Sequence, residues 1–160
     1  MVPHPFTIFL IPSCIQCKMG RYMKRYEQFP HTADIGVRAF GKTHKELFEN
    51  AAFAMFDIIA DLDGLKAGAA EAVTLNAANY EELLVSWLDE LLYRFYTKQE
   101  LYFKFKIDSL SDTALNATVT GRPIAANRNR LKTEIKAATY HDLNIKKSPA
   151  GYSVEVIFDV

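Results

Sequence analysis

Phe29-Pro30-His31-Thr32-Ala33-Asp34-Ile35-Gly36-Val37-Arg38 is the stretch on which the reading of this chain turns. Ile35, Val37 and Ala39 alternate with Asp34, Gly36 and Arg38, the period-two pattern of a half-buried strand. That alternation puts Asp34 on the face away from the core. Pro30 biases Phe29 toward extended backbone and has no amide for a ladder, so the strand is expected to restart after it. Asp34 then stands where a strand emerges from a turn. An aspartate there ordinarily caps the turn, but a rigid strand end also suits the presentation of a carboxylate to a ligand.

Downstream, Gly41 breaks the strand and Thr43-x-x-Glu46 forms a capping box. Leu47, Phe48, Ala51, Ala52, Met55, Ile58, Ile59 and Leu62 follow helical spacing, with the stop expected near Gly64. Asp57, Asp61 and Asp63 lack EF-hand spacing and its closing glutamate, so they read as solvated helix-end residues. Residues 71–78 alternate as a short strand. Asn79-x-x-Glu82 then opens a second helix, whose wide stripe Leu83, Leu84, Trp87, Leu88, Leu91, Leu92 and Phe95 predicts burial along most of its length. Asp89 and Glu90 interrupt that stripe.

The second half reads as strands. Leu101, Phe103, Phe105 and Ile107 are expected inward on one, and Leu115, Ala117 and Val119 on its hairpin partner. Ile135, Ala137 and Thr139 are expected to share a face, opposed by Glu134, Lys136 and Ala138. The final run is the clearest: Tyr152, Val154, Val156, Phe158 and Val160 inward, with Ser153, Glu155, Ile157 and Asp159 outward. Between them, Arg122 to Lys132 carries Arg128, Arg130 and Lys132, a local basic loop.

The composition narrows the classes. A length of 160 residues with 49% hydrophobic and 24% charged residues is that of a globular domain. Lys+Arg and Asp+Glu are both 19, so net charge gives no basis for sequence-blind nucleic-acid binding. No apolar run reaches membrane-spanning length, and no phosphate loop or nucleophile elbow is present. Residues 1–22 differ from the rest. Phe6 to Ile11 is apolar between prolines, without the basic start of a secretory signal, and Cys14-x-x-Cys17 has no second cysteine pair to complete a zinc site. They read as an N-terminal extension, with the domain proper spanning 23–160.

Asp34, Asp159 and the carboxylate beside Val160 would make an oxygen-rich pocket for a hard cation, Ca²⁺, Mg²⁺ or Mn²⁺, if the first and last strands are neighbours. Like charges held on strands need a counter-charge, which Lys136 could supply. His31, His141 and Asp142 lie beside the same strand ends.

His31-Thr32-Ala33-Asp34-Ile35-Gly36, Trp87-Leu88-Asp89-Glu90-Leu91-Leu92-Tyr93, Lys136-Ala137-Ala138-Thr139-Tyr140-His141 and Ile157-Phe158-Asp159-Val160 together resemble the archease family, in order, from Met23 to Val160. Ala138 departs from the family's more usual valine. The resemblance implies an α/β (α+β) two-layer domain, two main helices on a largely antiparallel sheet. It implies a cytoplasmic accessory protein, not an enzyme, that activates the GTP-dependent tRNA-splicing RNA ligase. That ligase joins 3′-phosphate and 5′-hydroxyl ends, and the accessory protein promotes its guanylylation and turnover. RNA is then met only through the ligase, and no membrane is involved. The family's metal site carries over to Asp34, Asp159 and Val160, with calcium the first expectation. Lys136, His141, Asp89 and Glu90 match further motif positions tied to ligase activation, and His31 becomes a supporting residue behind the metal. The alternatives are a stand-alone nucleic-acid-binding or chaperone-like module using the Arg122–Lys132 loop, and a metal-dependent hydrolase, for which no nucleophile or base is evident. If residues 1–22 are an extension, deleting them should leave the thermal melting temperature unchanged; a substantial drop in a calorimetric scan would show that they belong to the domain.

Overall fold

In the computed structural model, which describes residues 24–139 and 142–160, the opening strand is half of a tight hairpin. β1 (Tyr26–His31) and β2 (Asp34–Gly41) pair antiparallel, from Tyr26 opposite Ala39 to His31 opposite Asp34. A strand does start after Pro30, β2 at Asp34, but β1 also runs through the proline to His31. β1 is the outer strand of its sheet, where a missing N–H need cost no ladder bond. Ala33 turns the corner at φ 61°, a left-handed backbone that costs a non-glycine residue about 1–2 kcal/mol.

Both helix starts follow their sequence signals. Thr43 Oγ1 accepts from the Glu46 amide at 3.2 Å at the head of α1 (His44–Ile59). Asn79 Oδ1 accepts from the Glu82 amide at 2.9 Å at the head of α2 (Tyr80–Lys98). The reciprocal Glu46 bond goes to the Lys42 amide, one residue before the cap. α1 ends at Ile59, earlier than Gly64. Ala60 swings into extended backbone and bridges Leu131, and Gly64 sits in the turn beyond at φ 77°.

Residues on nearly every side of α1 are buried, among them Leu47, Phe48, Ala52, Met55, Phe56 and Ile59. A helix buried that way needs cover on more than one side. The strands supply it as two antiparallel sheets. One orders β1-β2-β8 (Gly151–Asp159)-β6 (Ala137–Thr139), with β7 (Lys146–Ser148) also on β8. The other orders β3 (Ala69–Asn76), β5 (Ala114–Pro123) and β4 (Glu100–Leu110). The expected α+β class, two helices on antiparallel sheet, holds. No described helix is long and apolar enough to cross a membrane.

Strand parity is as expected in β8, which buries Val154, Val156 and Phe158 and exposes Glu155 and Asp159. It differs in two places. Irregularities in the β4–β5 pairing at Tyr102/Lys104 and Ile107/Ser109 let Tyr102 face the core as well as Phe105, leaving Phe103 half-buried. The described part of β6 buries Ala138, not Ala137 and Thr139. The extension 1–22 with Cys14 and Cys17, and His141, lie outside the described residues.

The core is stitched by polar atoms as well. Trp87 Nε1 donates to the Phe48 carbonyl at 3.1 Å, and Asn50 Nδ2 to the Phe40 carbonyl at 2.7 Å, so neither buried donor is orphaned. Phe56 meets Phe95, Tyr102 and Phe105 at ring separations of 6.0, 5.8 and 5.3 Å. Phe56→Ala should therefore cost about 3–5 kcal/mol in urea denaturation, followed by the fluorescence of the single Trp87.

Candidate functional site

The register of three strand pairs builds the site. β2 pairs with β8 from Ile35 opposite Phe158 to Gly41 opposite Tyr152. One step beyond the Ile35–Phe158 pair lie Asp34 and Asp159. His31 is directly opposite Asp34, and Ala137 directly opposite Asp159. Residues facing each other across strands share a sheet face with Cβ atoms about 5 Å apart. His31, Asp34, Asp159 and Ala137 thus form one row across the end of the sheet, on the face opposite buried Val37, Val156 and Phe158. The second strand and the last are neighbours, and their register carries the two aspartates to adjoining positions at the sheet end.

His31 Nδ1 approaches Asp34 Oδ2 at 3.6 Å, with the two side chains 47% and 30% exposed, so the pair is water-screened and weak. Behind the row, the Phe29 ring covers Gly36. A Cβ on Gly36 would stand 2.3 Å from that ring, so the bare glycine is what lets Phe29 lie down on the sheet. Asp142, at φ 55°, joins Phe29, His31, Glu155 and Ile157 around an open hollow of about 180 Å³ on this face. The apolar hollow of about 270 Å³ under Ile59, Phe95, Tyr96 and Leu131 shares no residue with it.

The remaining motif residues separate. Lys136 is exposed just before β6, and its amide donates to the Asp159 carbonyl at 2.8 Å. Val160, half-buried, follows β8 at the end of the row. Asp89 turns toward this sheet, where its Oδ1 accepts from the Ala138 amide at 3.4 Å; burial pushes its carboxyl above the usual aspartate range, and that bond partly opposes the rise. Glu90 turns elsewhere, accepting from Arg94 Nε at 2.6 Å in a network with Glu71 and Lys98. In the basic loop, Arg130 Nη1 donates to the Asp61 and Asp63 carbonyls, fixing the loop to the end of α1, while Arg128 and Lys132 stay exposed. Asp57, read as solvated, instead accepts a short hydrogen bond from Tyr26; burial and then this bond push that phenol up to about 12. That contact joins residues 31 positions apart and had no local signal.

Among the described residues no three His, Cys, Asp or Glu side chains cluster closely enough to hold a metal. A cation on this row would rest on two carboxylates completed by other oxygens. An all-oxygen donor set of that kind fits a hard cation.

The sequence profile of the archease protein family matches residues 26–160. The protein archease of Methanosarcina acetivorans is 38% identical over 141 residues, covering 86% of this chain and 97% of the relative. That of Sulfurisphaera tokodaii is 31% identical over 139 residues, covering 86% and 100%. The solution structure of a Methanobacterium thermoautotrophicum protein matches with a TM-score of 0.73 at 35% identity, over 86% of this chain and 100% of that one. A crystal structure from Thermotoga maritima, described as an archease and possible chaperone, gives a TM-score of 0.59 over 87% and 98%, and at 21% identity shows the shared fold alone.

Asp89 gives this region a pH signature. Because its folded-state pKa is raised, its contribution to stability is fullest below the ordinary aspartate range and is lost as pH rises through the raised value. Asp89→Asn removes the ionisation, so urea midpoints measured from pH 3 to pH 7 should show a flatter decline on the alkaline side of that range than the parent protein.

Proposed function

The chain belongs to the archease protein family, and on that premise we propose that it is a metal-binding accessory protein that activates the GTP-dependent tRNA-splicing RNA ligase in the cytoplasm. The observation that carries this reading is the Asp34–Asp159 row, two aspartates from the two ends of the domain one step beyond the Ile35–Phe158 pair at one sheet end. Two carboxylates that converge on one point repel unless a positive charge stands between them, and a bound cation would be that charge. Asp34 and Asp159 would hold the cation, an oxygen of Val160 would complete the set, and His31 would steady Asp34 from the next strand. Calcium suits this hard, flexible oxygen site best, with Mg²⁺ or Mn²⁺ also fitting its donors. When bound, the cation supplies a positive charge able to orient phosphate oxygens.

The protein's own residues do the rest. The row is open on the surface, so it can meet the mouth of the ligase's active site. Exposed Lys136, beside Asp159, offers a second positive charge for phosphate there. The residues promote transfer of GMP to the ligase without themselves carrying a covalent step, and RNA is engaged through the ligase. A stand-alone role in RNA binding would fall to Arg128 and Lys132, because Arg130 already serves the loop's own fold.

The test is a guanylylation assay with purified ligase, GTP and divalent metal. Asp34→Ala and Asp159→Ala should each bring activation down to the level of the ligase alone. Full activation by both would sink the reading, and tight RNA binding by the lone protein that weakens steeply with salt would point to the basic loop instead.

A further inference from the structure

β6 (Ala137–Thr139 among the described residues) lies at the edge of the sheet against β8, beside Asp159. On its inner flank the Lys136 amide donates to the Asp159 carbonyl at 2.8 Å, and Thr139 Oγ1 donates to the Ile157 carbonyl at 3.2 Å. The Ala138 amide points the other way, and there it meets Asp89 Oδ1 at 3.4 Å. Asp89 comes from α2, where Leu88, Leu91 and Leu92 are locked in the core, so its carboxylate is presented from a rigid element. A carboxylate at the edge of an apolar stripe does nothing for packing and carries a desolvation cost. Its one described hydrogen bond is to the strand that flanks Asp159.

We propose that Asp89 is a positioning residue for the Asp34–Asp159 cation site: it clamps the outer edge of β6 through the Ala138 amide, and β6 in turn holds the end of β8 that bears Asp159. The inference rests on the metal-binding reading above. It separates Asp89 from Glu90, its neighbour in sequence, whose carboxylate serves the Arg94 network.

The experiment measures Ca²⁺ binding by calorimetry and amide exchange at Ala138 and Lys136, on the full chain and its variants. Asp89→Ala should weaken Ca²⁺ binding about tenfold or more, the size expected when support behind a ligand is lost. It should also speed exchange at both amides. Asp89→Asn keeps an oxygen acceptor at the same place and should restore both measures. If Asp89→Ala does not fold, Asp89→Ser, too short to reach the amide, takes its place. Unchanged Ca²⁺ affinity in the shortened variant overturns the inference, as does an Asn variant as weak as the Ala variant, which would mean that charge and not the clamp matters. Those outcomes leave the metal reading intact when the parent protein binds Ca²⁺ and Asp34→Ala does not; a parent protein that binds no Ca²⁺ overturns both.

Discussion

Burying α1 on almost every side is the constraint that the rest of the structure answers to. Each large side chain moved from water to such a core is worth about 1.5–3 kcal/mol, but only when something covers each face of the helix. One sheet cannot do that. The five-stranded sheet takes one side through Val37, Ala39, Val154 and Val156, and the three-stranded sheet with α2 takes the others through Tyr102, Phe105, Ile107 and Trp87. The same enclosure requires polar atoms near α1 to find partners inside it. Trp87 and Asn50 do so on backbone carbonyls, and the Glu49 carboxylate accepts the Ile107 amide of β4 at 2.9 Å. That last bond sits beside the second irregularity of β4, where a ladder partner is missing.

On the open face of the larger sheet, charge takes over from packing. Arg38 on β2 reaches Glu27 on β1 and Glu155 on β8, spanning three strands. Exposed pairs contribute little stability, typically under about 1 kcal/mol each. A one-residue slip would break both and turn every apolar residue outward, so their effect is on register. Register is what the candidate site needs: the Arg38 row spans three of the four strands that carry the Asp34 row, and fixing one helps fix the other.

The site therefore sits where the fold closes on itself. The first strand pair and the last strand meet, and two carboxylates separated by almost the whole sequence become neighbours. Strain lies at the same place, in the left-handed Ala33 between His31 and Asp34. The left-handed corner is paired with outward aspartates on the open face of the sheet, away from the packed core.

The sequence by itself determined the elements with strong local signals. Thr43 and Asn79 opened the helices, the alternation of β8 and β5 set their inward faces, and four separated motifs named the family. It failed where the deciding partner is remote. Pro30 ends a strand only in the middle of a sheet, and nothing local says that β1 is at the edge. Gly64 is a good stop, yet α1 ends earlier because Ala60 is drawn to Leu131. The parity of Tyr102 and Ala138 depends on a bulge and on an edge strand, both set by neighbours. Asp89 and Glu90 look alike in sequence, but one side chain meets β6 and the other Arg94, since adjacent helix positions point about 100° apart. Asp34 and Asp159 were each legible as outward aspartates at strand ends. That they belong to one row was decided only by tertiary structure, because antiparallel pairing of the second strand with the last is a contact between distant parts of the chain that no local pattern encodes.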